Sequence, residues 1–136
     1  MTEAPAELVI IDASTLVDLL AGTDYAVAVK KRLVGTVLHA PAHLDAEVLS
    51  ALGRLQRAGD LITADVDAAL SALVTIPVTR HPVAELAQGA WARRADLRLA
   101  DALYIELAAR LGASVLTTDH RLGRASSLAE SIQNEA

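Results

Sequence analysis

Short apolar runs that stop at acidic or turn-forming residues alternate along this chain with longer stretches whose apolar positions recur every three or four residues. The first run, Leu8-Val9-Ile10-Ile11, predicts a buried strand that ends at Asp12. A short helix follows, with Thr15 and Asp18 at capping-box spacing and Gly22 as its stop. A second helix is predicted from Asp24, its candidate N-cap, to Gly35, and Thr36 to Ala40 reads as a strand before Pro41. From His43 to Ala58, Leu44, Val48, Leu52 and Leu55 form one helical stripe closed by Gly59, and Glu47 lies beside that stripe near its start. Thr63 is the candidate cap of a helix carrying Val66, Leu70, Leu73 and Val74. The strand expected next, Ile76 to Thr79, contains Pro77, which favours a sheet edge. Pro82 suits the first turn of a helix through Leu86 and Trp91, and another runs from about Arg98 to Leu111 before Gly112. Ser114 to Thr118 predicts the last strand, and Leu122 to Ile132 a weakly patterned helical tail. Alternating strands and helices without linker, repeat or low-complexity tract predict one α/β domain over residues 1–136 with a mostly parallel sheet.

Composition agrees with a packed core: 53% of residues are hydrophobic and mean hydropathy is +0.36, which excludes intrinsic disorder. Aromatics make up only 2%, so aliphatic side chains must fill that core, with Trp91 and Tyr104 expected inside it. The chain has no cysteine, which rules out disulfides, a thiol nucleophile and zinc-thiolate sites and fits a reducing cytoplasm. The acidic start, Met1 to Glu7, lacks the basic region of a signal peptide, and no apolar run reaches the ~18 residues of a spanning helix. Secretion and membrane insertion are therefore not expected.

Four acids stand where the pattern changes. Asp12 and Asp119 each follow a strand-like run, at the sheet edge where open α/β folds bind ligands. Glu47 and Asp101 interrupt apolar helical stretches, where an unpaired carboxylate is costly to bury. A shared divalent cation removes that cost, and Mg²⁺ or Mn²⁺ favours such oxygen ligands. One or two such ions can activate water and stabilise a scissile phosphate without any side-chain nucleophile. The net charge of −5 weighs against a nucleic-acid partner, but two divalent ions would offset four of those charges. Arg93, Arg94 and Arg98 precede Asp101, and Arg121 and Arg124 follow Asp119, so phosphate contacts and ordinary ion pairs are both open to them. Each acid also has a local reading: Asp12 and Asp119 as helix caps, Asp101 and Glu47 as first-turn acids. Asp45, Asp96 and Glu106 are competing acids, Asp96 expected in an ion pair and Glu106 on the surface. The histidines lack a zinc spacing, although His120 beside Asp119 is a candidate RNA contact or leaving-group stabiliser.

The segments VIIDAST, DAEVLSAL, RLADALYIELA and VLTTDHRL together resemble the four acidic motifs of PIN-domain nucleases, closest to VapC-type toxins of bacterial toxin–antitoxin pairs. The resemblance spans nearly the whole chain in order and implies a three-layer α/β/α fold with a central sheet of four or five strands. It implies that Asp12, Glu47, Asp101 and Asp119 jointly hold Mg²⁺ or Mn²⁺ for hydrolysis of RNA. Ser14 and Thr117 match hydroxyl positions beside the first and fourth acids, and their expected role is to orient a carboxylate or a bound water. A cognate antitoxin, a homodimer and a larger toxin–antitoxin assembly are further implications. Few aromatic platforms are available for stacking unpaired bases, so backbone charge and RNA shape are the expected means of recognition, and a folded RNA the expected target. The alternatives are a structure-specific DNA nuclease, a receiver-like signalling domain and a partner-binding domain without catalysis. A receiver would need a lysine near the last strand, and the only lysines are Lys30 and Lys31.

Overall fold

A computed structural model describes residues 5–134 of the chain. Its elements are β1 (Glu7–Ile11), α1 (Ala13–Ala21), α2 (Ala26–Leu33), β2 (Thr36–Pro41), α3 (Leu44–Arg57), α4 (Thr63–Thr75), β3 (Val78–His81), α5 (Val83–Ala92), α6 (Leu99–Leu111), β4 (Val115–Thr117), α7 (His120–Ala125) and β5 (Ala129–Ser131). The five strands form one sheet in the order β3-β2-β1-β4-β5, and every neighbouring pair is parallel. The strand order reverses between β1 and β4. Such a switch point opens a crevice at the C-terminal ends of the two central strands, and Asp12 and Asp119 lie just past those ends.

In β1, successive residues Val9, Ile10 and Ile11 are all fully buried, as are Val115, Leu116 and Thr117 of β4. Neighbouring residues of a strand point to opposite faces, so helices must cover the sheet on both sides. Helix α6 packs on β1, β2 and β4, and α5 packs on α6; α1 packs on α2, α3 and α4. Ile10, Leu16, Ile105 and Leu116 are completely buried, and each contributes on the order of 1.5–3 kcal/mol. An exposed ion pair contributes roughly 0–1 kcal/mol. Aliphatic packing thus holds the fold and leaves the charged groups to be arranged for other ends. Among the described residues, no helix is long and apolar enough to cross a membrane.

The edge position inferred from Pro77 is observed, with β3 outermost but starting at Val78, after the proline that has no N–H to give the ladder. Five expectations change. Asp12, not Thr15, caps α1 by accepting from Thr15 N, while Asp18 accepts from Thr23 Oγ1. Asp24 does not cap α2, whose N-cap is Tyr25 without a side-chain bond, and Thr63 lies inside α4, where Asp65 accepts from Ile62 N. The segment expected as a helical tail is divided into α7 and the edge strand β5, which pairs with β4 from Val115↔Ala129 to Thr117↔Ser131. Gly123 permits this, because a Cβ there would overlap Ser131 Oγ of the strand folded against it. Tyr104 is buried as expected, but Trp91 is 56% exposed, with the Arg94 guanidinium 4.6 Å from its ring centre.

Candidate active site

Past the C-terminal ends of β1 and β4 lies a cavity of about 510 Å³, and Asp12, Glu47, Asp101 and Asp119 all line it. They come from four separate places: the β1–α1 junction, the first turn of α3, the first turn of α6 and the β4–α7 junction. The two strand-end acids do cap helices, as their local reading allows, yet capping engages one oxygen of each. Asp119 Oδ1 accepts from Arg121 N (3.0 Å) and Leu122 N (3.4 Å). Asp12 Oδ1 accepts from Ser14 Oγ (2.9 Å) and Thr15 N (3.0 Å), with Thr15 Oγ1 at 2.7 Å. Capping and cavity lining are therefore compatible in one side chain.

Asp12 is 5% exposed. Burial pushes its carboxyl pKa up, against the lowering effect of hydrogen bonds from Thr117, Thr15 and Ser14. The four hydrogen-bonding groups do not fully offset the lost hydration, so a cation beside the carboxylate would favour its ionised form. Thr15 Oγ1 also lies 2.9 Å from Leu116 O and accepts from Thr118 N at 3.1 Å. Its single proton is shared between Asp12 and the β4 carbonyl, which ties the ends of the two central strands together. Ser14 meets a carboxylate as expected. Thr117, besides its hydrogen bond to the Asp12 carboxyl, accepts from Asp119 N at 2.9 Å and so fixes the turn that carries the fourth acid.

Glu47 is aimed by two partners. Tyr104 Oη donates to its Oε1 at 2.6 Å, and His43 Nε2 lies 3.3 Å from the same oxygen. His43 Nε2 also lies 3.0 Å from the Ala100 carbonyl. A carbonyl only accepts, so the proton is on Nε2; Nδ1 is buried without a hydrogen-bond partner. Burial and the Glu47 carboxylate both push the Tyr104 pKa up, so the phenol remains a donor. Glu47 Oε2 accepts no hydrogen bond among the described residues.

A cation already stands among the acids. Arg121 Nη2 is 2.9 Å from Asp101 Oδ2 and 3.0 Å from Asp119 Oδ2. Among the described residues no three acidic or histidine side chains converge tightly enough to hold one metal ion. The donor set nevertheless suits a hard divalent cation: four carboxylates line the cavity, one of them buried with a raised pKa.

The other candidates separate clearly. Arg54, Arg98 and Arg121 line the cavity. Arg93 bonds Glu106 (3.2 Å), and Arg94 stacks on Trp91, so neither is placed at the acids. Asp45 pairs with Arg80 at 2.8 Å. Glu106 is not the surface acid expected: its side chain is 14% exposed and bonded by Arg93 and Arg110. His120 Nε2 is 3.0 Å from Tyr25 Oη and does not line the cavity. His39 and His81, on adjacent strands, are 2.8 Å apart. Sequence reasoning missed Thr15, Arg54 and the bond from Tyr104, whose apolar context Ala102-Leu103-Tyr104-Ile105 signals only burial. Arg54 carried a signal that went unused, since it lies seven residues after Glu47, two turns along the same face of α3.

Residues 9–128 match the PIN domain family. The chain is 61% identical over 123 residues to Ribonuclease VapC3 of Mycobacterium tuberculosis, covering 90% of each protein. Its fold superposes on PAE2754 from Pyrobaculum aerophilum with a TM-score of 0.66 and 25% identity, covering 94% of this chain and 85% of that one. It also superposes on Mycobacterium tuberculosis VapC20, a toxin described as cleaving the sarcin–ricin loop, with a TM-score of 0.65 and 19% identity, covering 87% of this chain and 95% of the other. A parallel sheet with acids at its switch point, matched from Val9 to Leu128, leads to one assignment: the chain belongs to the PIN-domain family and, within it, to the VapC ribonucleases.

Proposed function

We propose that Asp12, Glu47, Asp101 and Asp119 bind Mg²⁺, or Mn²⁺ in its place, and that with it this VapC toxin hydrolyses phosphodiester bonds of RNA. The observation that carries this is that four acids from four elements line one cavity at the switch point of the sheet. The bound ion would supply positive charge to the scissile phosphate and a deprotonated water at neutral pH. The protein's own groups hold the acids ready. Ser14 and Thr15 fix Asp12, Thr117 fixes the turn bearing Asp119, and Tyr104 with His43 fixes Glu47. Locking the supporting groups in this way limits reorganisation during reaction.

Arg54 and Arg98, both exposed on the cavity wall, are suited to phosphates on either side of the cut. Few aromatic side chains are available as stacking platforms, which favours a target read by its folded shape. An RNA target and the absence of cysteine favour action in the cytoplasm. A single PIN-like domain is favoured by one continuous sheet and one core cluster among residues 5–134, the ends of the expected span 1–136 lying outside the described residues. A cognate antitoxin and a homodimer complete the proposal. The apolar groove between α5 and α6, with Trp91 and Leu99 exposed, is a candidate surface for that dimer contact.

The test is cleavage of total cellular RNA by the purified protein and by Asp101→Asn, with Mg²⁺ or Mn²⁺ and with chelator. Discrete fragments that need metal and vanish with the variant are expected. Identical fragments from both proteins, or fragments that persist in chelator, would overturn the proposal.

A further inference from the structure

Among the cavity-lining arginines, Arg121 differs from the others in what it touches. A single nitrogen, Nη2, lies at hydrogen-bond distance from one oxygen of Asp101 and one of Asp119, whereas Arg98 approaches Asp101 only to 3.7 Å with its side chain 73% exposed. One positive group between two carboxylates occupies the electrostatic position that a divalent ion would take. The rest of Arg121 does not depend on that bridge. Its backbone N–H is capped by Asp119 Oδ1, and the neighbouring Leu122 anchors α7 in the core at 1% exposure. The Arg121 side chain is 44% exposed, so the guanidinium can swing to water without unfolding the helix. A half-exposed ion pair is weak enough to exchange.

We infer that Arg121 is the resident counter-cation of the acidic cavity: its guanidinium holds Asp101 and Asp119 together, and a divalent ion binds by displacing it. Arg121 is then a positioning residue that keeps two mutually repelling acids close before the ion arrives. This rests on the proposed metal site. It also carries a constraint of its own. If the bridge exists only in the ion-free protein, its removal must destabilise that form, tighten ion binding by the same factor, and leave the ion-bound form unchanged.

The experiment compares wild type, Arg121→Gln, Arg121→Lys and Asp101→Asn by calorimetric titration with Mn²⁺ and by thermal unfolding with and without saturating Mn²⁺. Arg121→Gln is expected to bind Mn²⁺ about three- to tenfold more tightly, the range set by two exposed pairs. Its ion-free Tm should fall below wild type, with the gap closing in saturating Mn²⁺. Arg121→Lys should lie between the two. Unchanged or weaker Mn²⁺ binding by Arg121→Gln, or a Tm gap that persists in Mn²⁺, would overturn the inference while wild-type binding lost in Asp101→Asn keeps the site itself. No Mn²⁺ binding by wild type would overturn both.

Discussion

Helix α6 carries two acids that meet arginines in different ways. Glu106 receives two, Arg93 at 3.2 Å and Arg110 at 2.8 Å, and its side chain is 14% exposed. Asp101, five residues earlier, shares Arg121 with Asp119 in a cavity that Asp12 and Glu47 also line. In the first cluster cations match or exceed acids and the charges close on one another. In the second, acids outnumber the cations that touch them, and the most buried acid has no arginine partner. The pKa shifts carry the same contrast. The bond from Arg110, with further help from Arg93, holds the Glu106 carboxyl below its ordinary range. Burial holds that of Asp12 above it. Composition alone does not separate a structural ion cluster from the candidate metal site; the local balance of charge does.

Removing one acid from each cluster gives the largest separation. Asp12→Asn should lower RNA cleavage on the order of a hundredfold or more, as loss of a key electrostatic group does. Glu106→Gln should leave cleavage within about twofold, because no reacting group touches it. Initial rates on one labelled RNA at saturating Mn²⁺ measure both; equal losses would erase the distinction.

Stability against pH sharpens the contrast, with smaller effects of opposite sign. A lowered carboxyl pKa contributes stability above the ordinary value of 4.5, which is lost as pH falls through the folded value. Glu106→Gln should therefore cost on the order of 1–2 kcal/mol at pH 7, less than a fully buried pair because both arginines can reach water. That deficit should shrink on acidification. A raised pKa does the reverse: folding becomes less favourable as pH rises from the ordinary 3.8 through the folded value. Metal-free Asp12→Asn should then match or exceed wild type at pH 7, by up to about 2–5 °C in Tm. Its advantage should vanish in acid. Chemical and thermal denaturation from pH 3.5 to 7.5 in chelator read both curves, and parallel curves for the two variants would contradict the assignment.

Much of this was legible in the sequence because its signals are local. The apolar runs ending in Asp12 and near Asp119 predict strands whose ends face a crevice, and the helical stripe beside Glu47 places that acid on the first turn of α3. The rest depends on contacts that no local window contains. Tyr104 reaches Glu47 across 57 residues, and Thr15 joins β4 across 101. Strand β5 has only three residues, Ala-Glu-Ser, whose extended form comes from pairing with β4 and not from propensity. Trp91 was misplaced because an apolar side chain on a helix suggests burial, whereas a guanidinium lies over its ring. In the sequence Arg121 is only a flanking charge, because its bridge between two acids depends on the α6–α7 arrangement.

Whether a divalent ion takes its place among the four acids is measured directly by anomalous diffraction from crystals soaked in Mn²⁺. A peak is expected inside the cavity bounded by Asp12, Glu47, Asp101 and Asp119, with the Arg121 guanidinium withdrawn from Asp101. A cavity without a peak at saturating Mn²⁺, with the Arg121 bridge intact, would contradict the proposed metal site.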